Sequence, residues 1–526
     1  MQSYYSMLSN RQQLGESFPP NYRPTFRSSA IFPVLDNEHC HSRILFMGYW
    51  LLKRNIREIG MLITLRSESG TILDRSYLCI DSPKAYNIEV GEILRRIENK
   101  ATAFTGSLEL EIFSTVDLVY PYPAFVVNYY DEHFSTAVHS VGRIYNDVED
   151  MTGNEEYVVR EAGFDIYATP EQHPFVSFTN GPWANETFSF DYEVVNHANQ
   201  KLSGSFSPGP LSAFQTSLIN FSAYIPELVN FLDGKKGTIN IGHNLKGLFP
   251  RFVVGNIDQK SQSMSITHSY YDSSPFTDAK SYWNRLDDRF IDSSIAIPLY
   301  ITEGYYTELA IYPIFSASDF NISLSFFDAQ GILTGKVENA ATITGNKQEY
   351  QTIDFGNVIA ANGIDASSAA SVRIECIWND KQKIPTRVKF GMNVGHKDAL
   401  PCNICFAPQL GNPNILHKKS TFKWSPLLNN GVSEIVLTNS SSLINYDRPA
   451  IIEAKVYREK DDSFLERTIE IPAFGVHTIN TEKDAELNQF LEGGTGWLTA
   501  FSENPNIYGW YFDFNESGSV AADHIF

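Results

Sequence analysis

The sequence predicts an all-β protein of four tandem β-sandwich repeats, of jelly-roll or immunoglobulin-like type, each about 128 residues long. Three observations carry this. His139, His268, His396 and His524 recur 129, 128 and 128 residues apart. ELVNFLDGKKG, ending at Gly237, matches ELNQFLEGGTG, ending at Gly496, near twice that period. YPAFVV (Tyr122 to Val127) matches FPRFVV (Phe249 to Val254) at nearly the same distance before a histidine.

Within the last copy, IVLTN, IIEAKVY, RTIEIPAF, GVHTIN, GWLTAFS and IYGWYFDF alternate apolar and polar residues. They are rich in β-branched and aromatic types and stop at Asn, Gly, Pro or Ser clusters, which is the period and punctuation of strands. A short amphipathic turn around Glu486 to Leu491 precedes the glycines, and VGEILRRIENK takes its place in the first copy. The units are expected at 31–150, 151–275, 276–406 and 407–526, after a flexible polar arm at 1–30. Polar segments at 150–172, 273–290 and 407–422 connect them as straps or first strands.

The order EIVLTN, IIEAKVY, RTIEIPAFGVHTIN, GWLTAFSENPNIYGWYFDF in the last copy resembles the small β-sandwich of the soluble sensory rhodopsin transducer family, over about 100 of the 526 residues. The resemblance implies a sandwich that assembles as a tetramer and binds small ligands or partner proteins. Four fused copies would then replace a homotetramer by a pseudo-fourfold or linear array.

Composition narrows the function classes. A chain 43% hydrophobic and 19% charged is globular, and no 18-residue apolar run is present to span a membrane. The polar N-terminus lacks the apolar core of a secretory signal, so a cytoplasmic location is expected. Five scattered cysteines fit a reducing compartment better than a repeated disulfide framework. Net charge is −20, which disfavours nucleic acid and anionic membrane surfaces, since both need clustered Lys and Arg. Half of that charge lies from Trp424 onward, with 16 acidic and 6 basic residues.

Candidate sites are few. The four register histidines could converge on an axis as metal ligands, although hydrogen bonding to a nearby turn explains each of them equally. His396, Cys402 and Cys405 form half of a zinc-like set, but i and i+3 on a strand face opposite ways. Aromatic residues, 13% of the chain, crowd the final hairpins. There Tyr122, Tyr129, Tyr130 and Asp131, with Trp510, Tyr511 and Asp513, are expected to expose aromatic faces beside polar handles, a surface suited to a sugar or a protein. No nucleophile elbow, phosphate-binding glycine loop or HExxH helix occurs, and no cofactor is implied. The leading expectation is a non-enzymatic, multivalent binding or scaffold protein for glycans or a protein partner, able to self-associate. The alternatives are a coat or shell subunit and a polysaccharide-metabolising enzyme.

Overall fold

The computed structural model describes residues 25–99, 101–120, 123–139, 142–145, 161–271, 282–284, 287–313, 316, 318–345, 349–385, 388–397 and 399–526. In the first unit the alternating segments become eight strands: Phe26–Asp36, His41–Met47, Gly60–Ser67, Ile72–Cys79, Ala85–Glu89, Phe104–Ser114, Val126–Tyr130 and Ser135–His139. Numbered in chain order, strands 1-6-3-4 form one antiparallel sheet and strands 5-2-7-8 the other. The same two orders recur within residues 161–268, 293–406 and 421–524. The protein is therefore four tandem β-sandwiches. Because strand 1 begins at Phe26, residues 26–30 belong to the first sheet rather than to an arm. The rest of the expected arm, 1–24, lies outside the described residues.

Period-2 alternation explains the layering. Ala30, Phe32 and Val34 of strand 1, paired with Leu110, Leu108 and Gly106 of strand 6, turn inward and are almost fully buried. The fourth strand, Ile72–Cys79, lies at the sheet edge and alternates exposed with half-buried residues. Between the fifth and sixth strands short helices cross to the other sheet: Val90–Arg96 in the first unit, Phe221–Tyr224 and then Leu228–Leu232 in the second, Phe355–Ala361 in the third and Ala485–Leu491 in the fourth.

The duplicated FL-acid-G motif is explained here. Asp233 and Glu492 end their helices in the left-handed region, at φ 52° and 51°. The following strand starts at Gly237 or Gly496, where a Cβ would sit 2.7 Å from Leu232 or Leu491. The leucine plugs the sandwich end, and only glycine leaves room for it.

The four units close into a ring. The eighth strands, Ser135–His139, Ser263–His268, Cys402–Phe406 and Val520–His524, contact one another in the cycle first–second–third–fourth–first. They are edge strands of separate sheets, so the hub is built by side chains and not by a shared ladder.

The histidine marker holds in three units. His139 pairs with Val126, His268 with Val253 and His524 with Trp510, all at the end of the eighth strand. In the third unit the matching pair is Phe390 with Phe406. His396 instead ends the seventh strand, ten residues earlier. Its regular spacing in the sequence is a coincidence of compensating loop lengths. It packs against Tyr305 at 5.2 Å and against the backbone of Gly304 and Gly518.

A closed ring of this size should scatter in solution with a radius of gyration near the compact-chain value of about 24 Å. A profile well above that, as four units in a row would give, would contradict the cyclic contact.

Candidate functional site: the hub and its pocket

An edge strand carries unpaired N–H groups, and at the hub short polar side chains of the neighbouring unit satisfy them. Ser135 N donates to Ser519 Oγ at 2.9 Å, and the same hydroxyl donates back to Ser135 O at 3.1 Å. His139 N donates to Asp523 Oδ2 at 3.0 Å, and Ile266 N to Thr136 Oγ1 at 2.9 Å. Ser265 Oγ reaches the Pro401 carbonyl, joining the second unit to the third.

Three imidazoles gather at this point. The His139 ring lies 4.8 Å from that of His268 and 4.6 Å from that of His524. Each has its Nδ1 engaged: with Asp523 Oδ2 at 2.7 Å for His139, with Ser269 O at 2.9 Å for His268, and with Ile525 O at 3.1 Å for His524. Burial alone would raise the Asp523 carboxyl, but His139 and His524 overcome it and hold the group below the usual carboxylate range. Burial pushes His524 down to about 4 despite Asp523. His268 is pushed well below its ordinary value, by burial first and then by Arg251 and His139. Both rings are neutral at pH 7.

Beside the imidazoles opens a cavity of about 360 Å³, lined by Tyr49, Lys53, Leu118, Trp424, Phe526 and their neighbours. Three units build it. The first supplies the short helix Tyr49–Lys53, the second Arg251, and the fourth Trp424 and the last residues. Its wall is an aromatic stack: Tyr49 on Trp424 at 4.8 Å, Trp424 on Phe526 at 5.8 Å, with Phe526 and Trp424 also exchanging backbone hydrogen bonds.

The charge of the cavity is opposite to that of the protein. Lys53, Arg54, Arg251, His139 and His524 line it, and among the described residues no aspartate or glutamate does. Lys53 Nζ sits 4.2 Å above the Trp424 ring, and Lys423 lies close enough to act on it. Burial, then Lys423 and Arg54, bring Lys53 down to about 8, so it stays mostly protonated at neutral pH. Among the described residues none of Lys53, Arg54, Arg251 and Lys423 has an acidic partner, and the buried Nε of Arg251 has no hydrogen-bond partner. Arg251, half-buried with its Nε unsatisfied, is the cation there with most to gain from an anion.

The residues expected to form exposed aromatic surfaces behave differently. Tyr129, Trp510, Tyr511 and Asp513 are interior, at 2%, 2%, 1% and 0% exposure, which corrects the expectation that they face out. The physical reason is that both faces of the final hairpin are covered, one by its own sandwich and the other by the hub. Tyr129 donates to Pro33 O at 2.6 Å, Trp510 packs on Phe406 at 5.7 Å, and Asp513 accepts from Ser433 Oγ at 2.6 Å to pin the 431–433 turn. Tyr130 is half-buried beneath Arg43 and donates to Glu89 at 2.8 Å, while Asp131 closes its own turn by accepting from Phe134 N at 2.9 Å. Tyr122 lies outside the described residues.

The half zinc set does not assemble. Cys402 and Cys405 are buried on opposite faces of one strand, in different apolar clusters, and burial pushes the Cys402 thiol up to about 12. His396 lies across the seventh strand's end from them. Among the described residues, the group that could hold a metal ion is His139, Asp523 and His524. Asp523 is already committed there, with Oδ2 on His139 and Oδ1 accepting from His524 N at 2.8 Å. The cluster is thus an imidazole–carboxylate brace with two ring nitrogens to spare.

No protein-family model and no curated protein sequence matches the chain. Among solved structures, the BSP domain of a biofilm-associated protein aligns over 97% of this chain and 96% of its own, at 10% identity and a TM-score of 0.17. A calcium-binding mutant of Bacteroides uniformis β-glucuronidase 2 aligns over 48% of this chain and 27% of its own, at 8% identity and a TM-score of 0.12. A glycosyl hydrolase family 2 member from Bacteroides cellulosilyticus aligns over 95% and 92%, at 7% identity and a TM-score of 0.12. Likenesses this low carry no functional argument.

Two outcomes follow from the brace. His524 is held near 4 by burial, and His268 lower than its usual value, whereas the unfolded chain titrates near 6.5. As pH falls from 6.5 toward 4 the unfolded state binds protons that the folded state refuses, so stability should drop by up to about 1.4 kcal/mol per pH unit per histidine, and His524→Gln should flatten the curve in urea melts. Asp523→Ala strands His139 and two edge N–H groups and should cost about 3–5 kcal/mol, measured the same way at pH 7.

Proposed function

We propose that this is a non-enzymatic binding and scaffold protein in which three of the four fused sandwiches build one hub pocket for a small anionic ligand with an apolar body, such as an acidic sugar or an aromatic carboxylate. The observation that supports this is the set of unpartnered cations, Lys53, Arg54 and Arg251, around an aromatic cavity in a chain of net charge −20. A carboxylate between Lys53 and Arg251 would satisfy the buried Arg251 Nε, with its carbon skeleton against Leu118, Trp424 and Phe526. The cavity of about 360 Å³ falls within the small-ligand range of about 300–1,000 Å³.

The same acidic exterior favours this over non-specific polyanions, because a nucleic-acid strand would meet repulsion everywhere but at the hub. Many equivalent aromatic surfaces would suit multivalent capture, but the final-hairpin aromatics are spent inside the fold. Valency therefore gives way to one site shared by three units.

Calorimetry of the full chain against glucuronate, benzoate and phosphate, with glucose as the neutral control, tests the proposal. The organic anions are expected to bind, more weakly as salt rises. Lys53→Met and Arg251→Met are each expected to lower affinity by about tenfold or more, the size of a lost charge-assisted hydrogen bond. Equal binding of glucose, or full affinity in both variants, would reject it.

A further inference from the structure

A second site lies on the second unit, on the same connection that carries Arg251 to the hub pocket but lined by other residues. The connection between its second and third strands (Gln172–Thr179 and Phe190–Asn196) and the connection between its sixth and seventh (Gly237–His243 and Val253–Asp258) meet there around a cavity of about 590 Å³. Trp183 projects into it at 48% exposure.

The ring is exposed but held. Its back lies on Gly247, which has a φ of +76° and where a Cβ would come 2.6 Å from the indole. Gly181 is pressed as closely on the Lys246 carbonyl, so both turns need their glycines. Asn180 Nδ2 holds the Trp183 carbonyl at 2.9 Å. Asn185 Nδ2 reaches Asn244 Oδ1 at 3.2 Å, and Asn244 Nδ2 reaches Thr187 O at 2.7 Å, locking the two connections together. Across the cavity stand Glu186 and Lys246, exposed and without an ion pair or hydrogen bond among the described residues.

The fourth unit supplies an internal comparison. Asn439, at the end of its second strand, does the work of Asn180, donating to Ile471 O at 3.1 Å where Asn180 donates to Ser212 O at 2.8 Å. There the aromatic of the same connection, Tyr446, folds inward at 7% exposure, bonds Asn439 and Asn504, and fills the end of the sandwich. In the second unit the framework is kept, but the aromatic is turned out over a cavity. Nothing in the packing requires this: Phe178, Phe188 and Phe252 already close that core.

We infer that Trp183, with Glu186 and Lys246, forms a binding site for a neutral sugar ring, which stacks on the indole while its hydroxyls bond the carboxylate and the ammonium. A pyranose offers the match: an apolar C–H face of about one ring's width and hydroxyls at its rim that both donate and accept. An anion would be favoured by Lys246 and repelled by Glu186, so a charged ligand gains nothing here. The site shares no lining residue with the hub pocket, and its ligand is of a different class.

The test uses the full chain and neutral oligosaccharides of glucose, xylose and mannose, read by quenching of tryptophan fluorescence and by saturation-transfer NMR. At least one series should bind. Trp183→Ala should weaken it at least tenfold, Trp183→Phe should recover part of the loss, and Glu186→Gln should weaken it while leaving the melting temperature unchanged. Lys53→Met should bind the neutral sugar as the unaltered chain does, so failure of the hub proposal and of this one are separable. Absence of binding to every neutral series, or undiminished binding by Trp183→Ala, would overturn the inference. So would a dimer in light scattering that dissociates on Trp183→Ala, since the ring would then be covered by a second copy.

Discussion

Everything in this molecule rests on how four open strand edges are answered at the hub. An unpaired edge is a template for another strand, and adding one would run four sheets into a single continuous ladder. Here serine, threonine and aspartate side chains take that role, as Ser519 does for Ser135 and Asp523 for His139. They satisfy the backbone without extending the sheet, so each sandwich keeps its own twist and the ring can close. The Asp523 carboxylate is the most demanding of these groups, because it is buried and remains charged only beside imidazoles.

The fold class was legible because alternation is a local property: six short apolar–polar segments in a row leave few architectures open. The FL-acid-G motif was also legible, and the structure gives it a reason in the leucine plug against Gly237 and Gly496. The histidine landmark was legible in the first, second and fourth units and misleading in the third, since spacing counts residues without knowing which loop absorbs them. Aromatic density misled for a related reason. Alternation tells that two faces exist, but not that Tyr129 would turn into its own sandwich or that Trp510 would be covered by Phe406 of the neighbouring unit.

The pocket itself left little trace in the sequence. Lys53, Arg251 and Trp424 are single residues from three units, far apart in the chain and unremarkable in their local contexts. Net charge pointed away from them, because a sum over 526 residues hides a few cations gathered at one cavity. The acidic surface and the basic hollow are complementary features.

Phe406 stands where the other three units place an imidazole. In an assembly of four separate identical chains that change would appear on every wall at once. Covalent linkage lets one quadrant lose its polar group while the others keep theirs, so the axis has a distinguishable front, back and sides. Whatever enters such a centre meets one orientation and not four equivalent ones, and duplication has thereby yielded a unique receptacle from a repeated part.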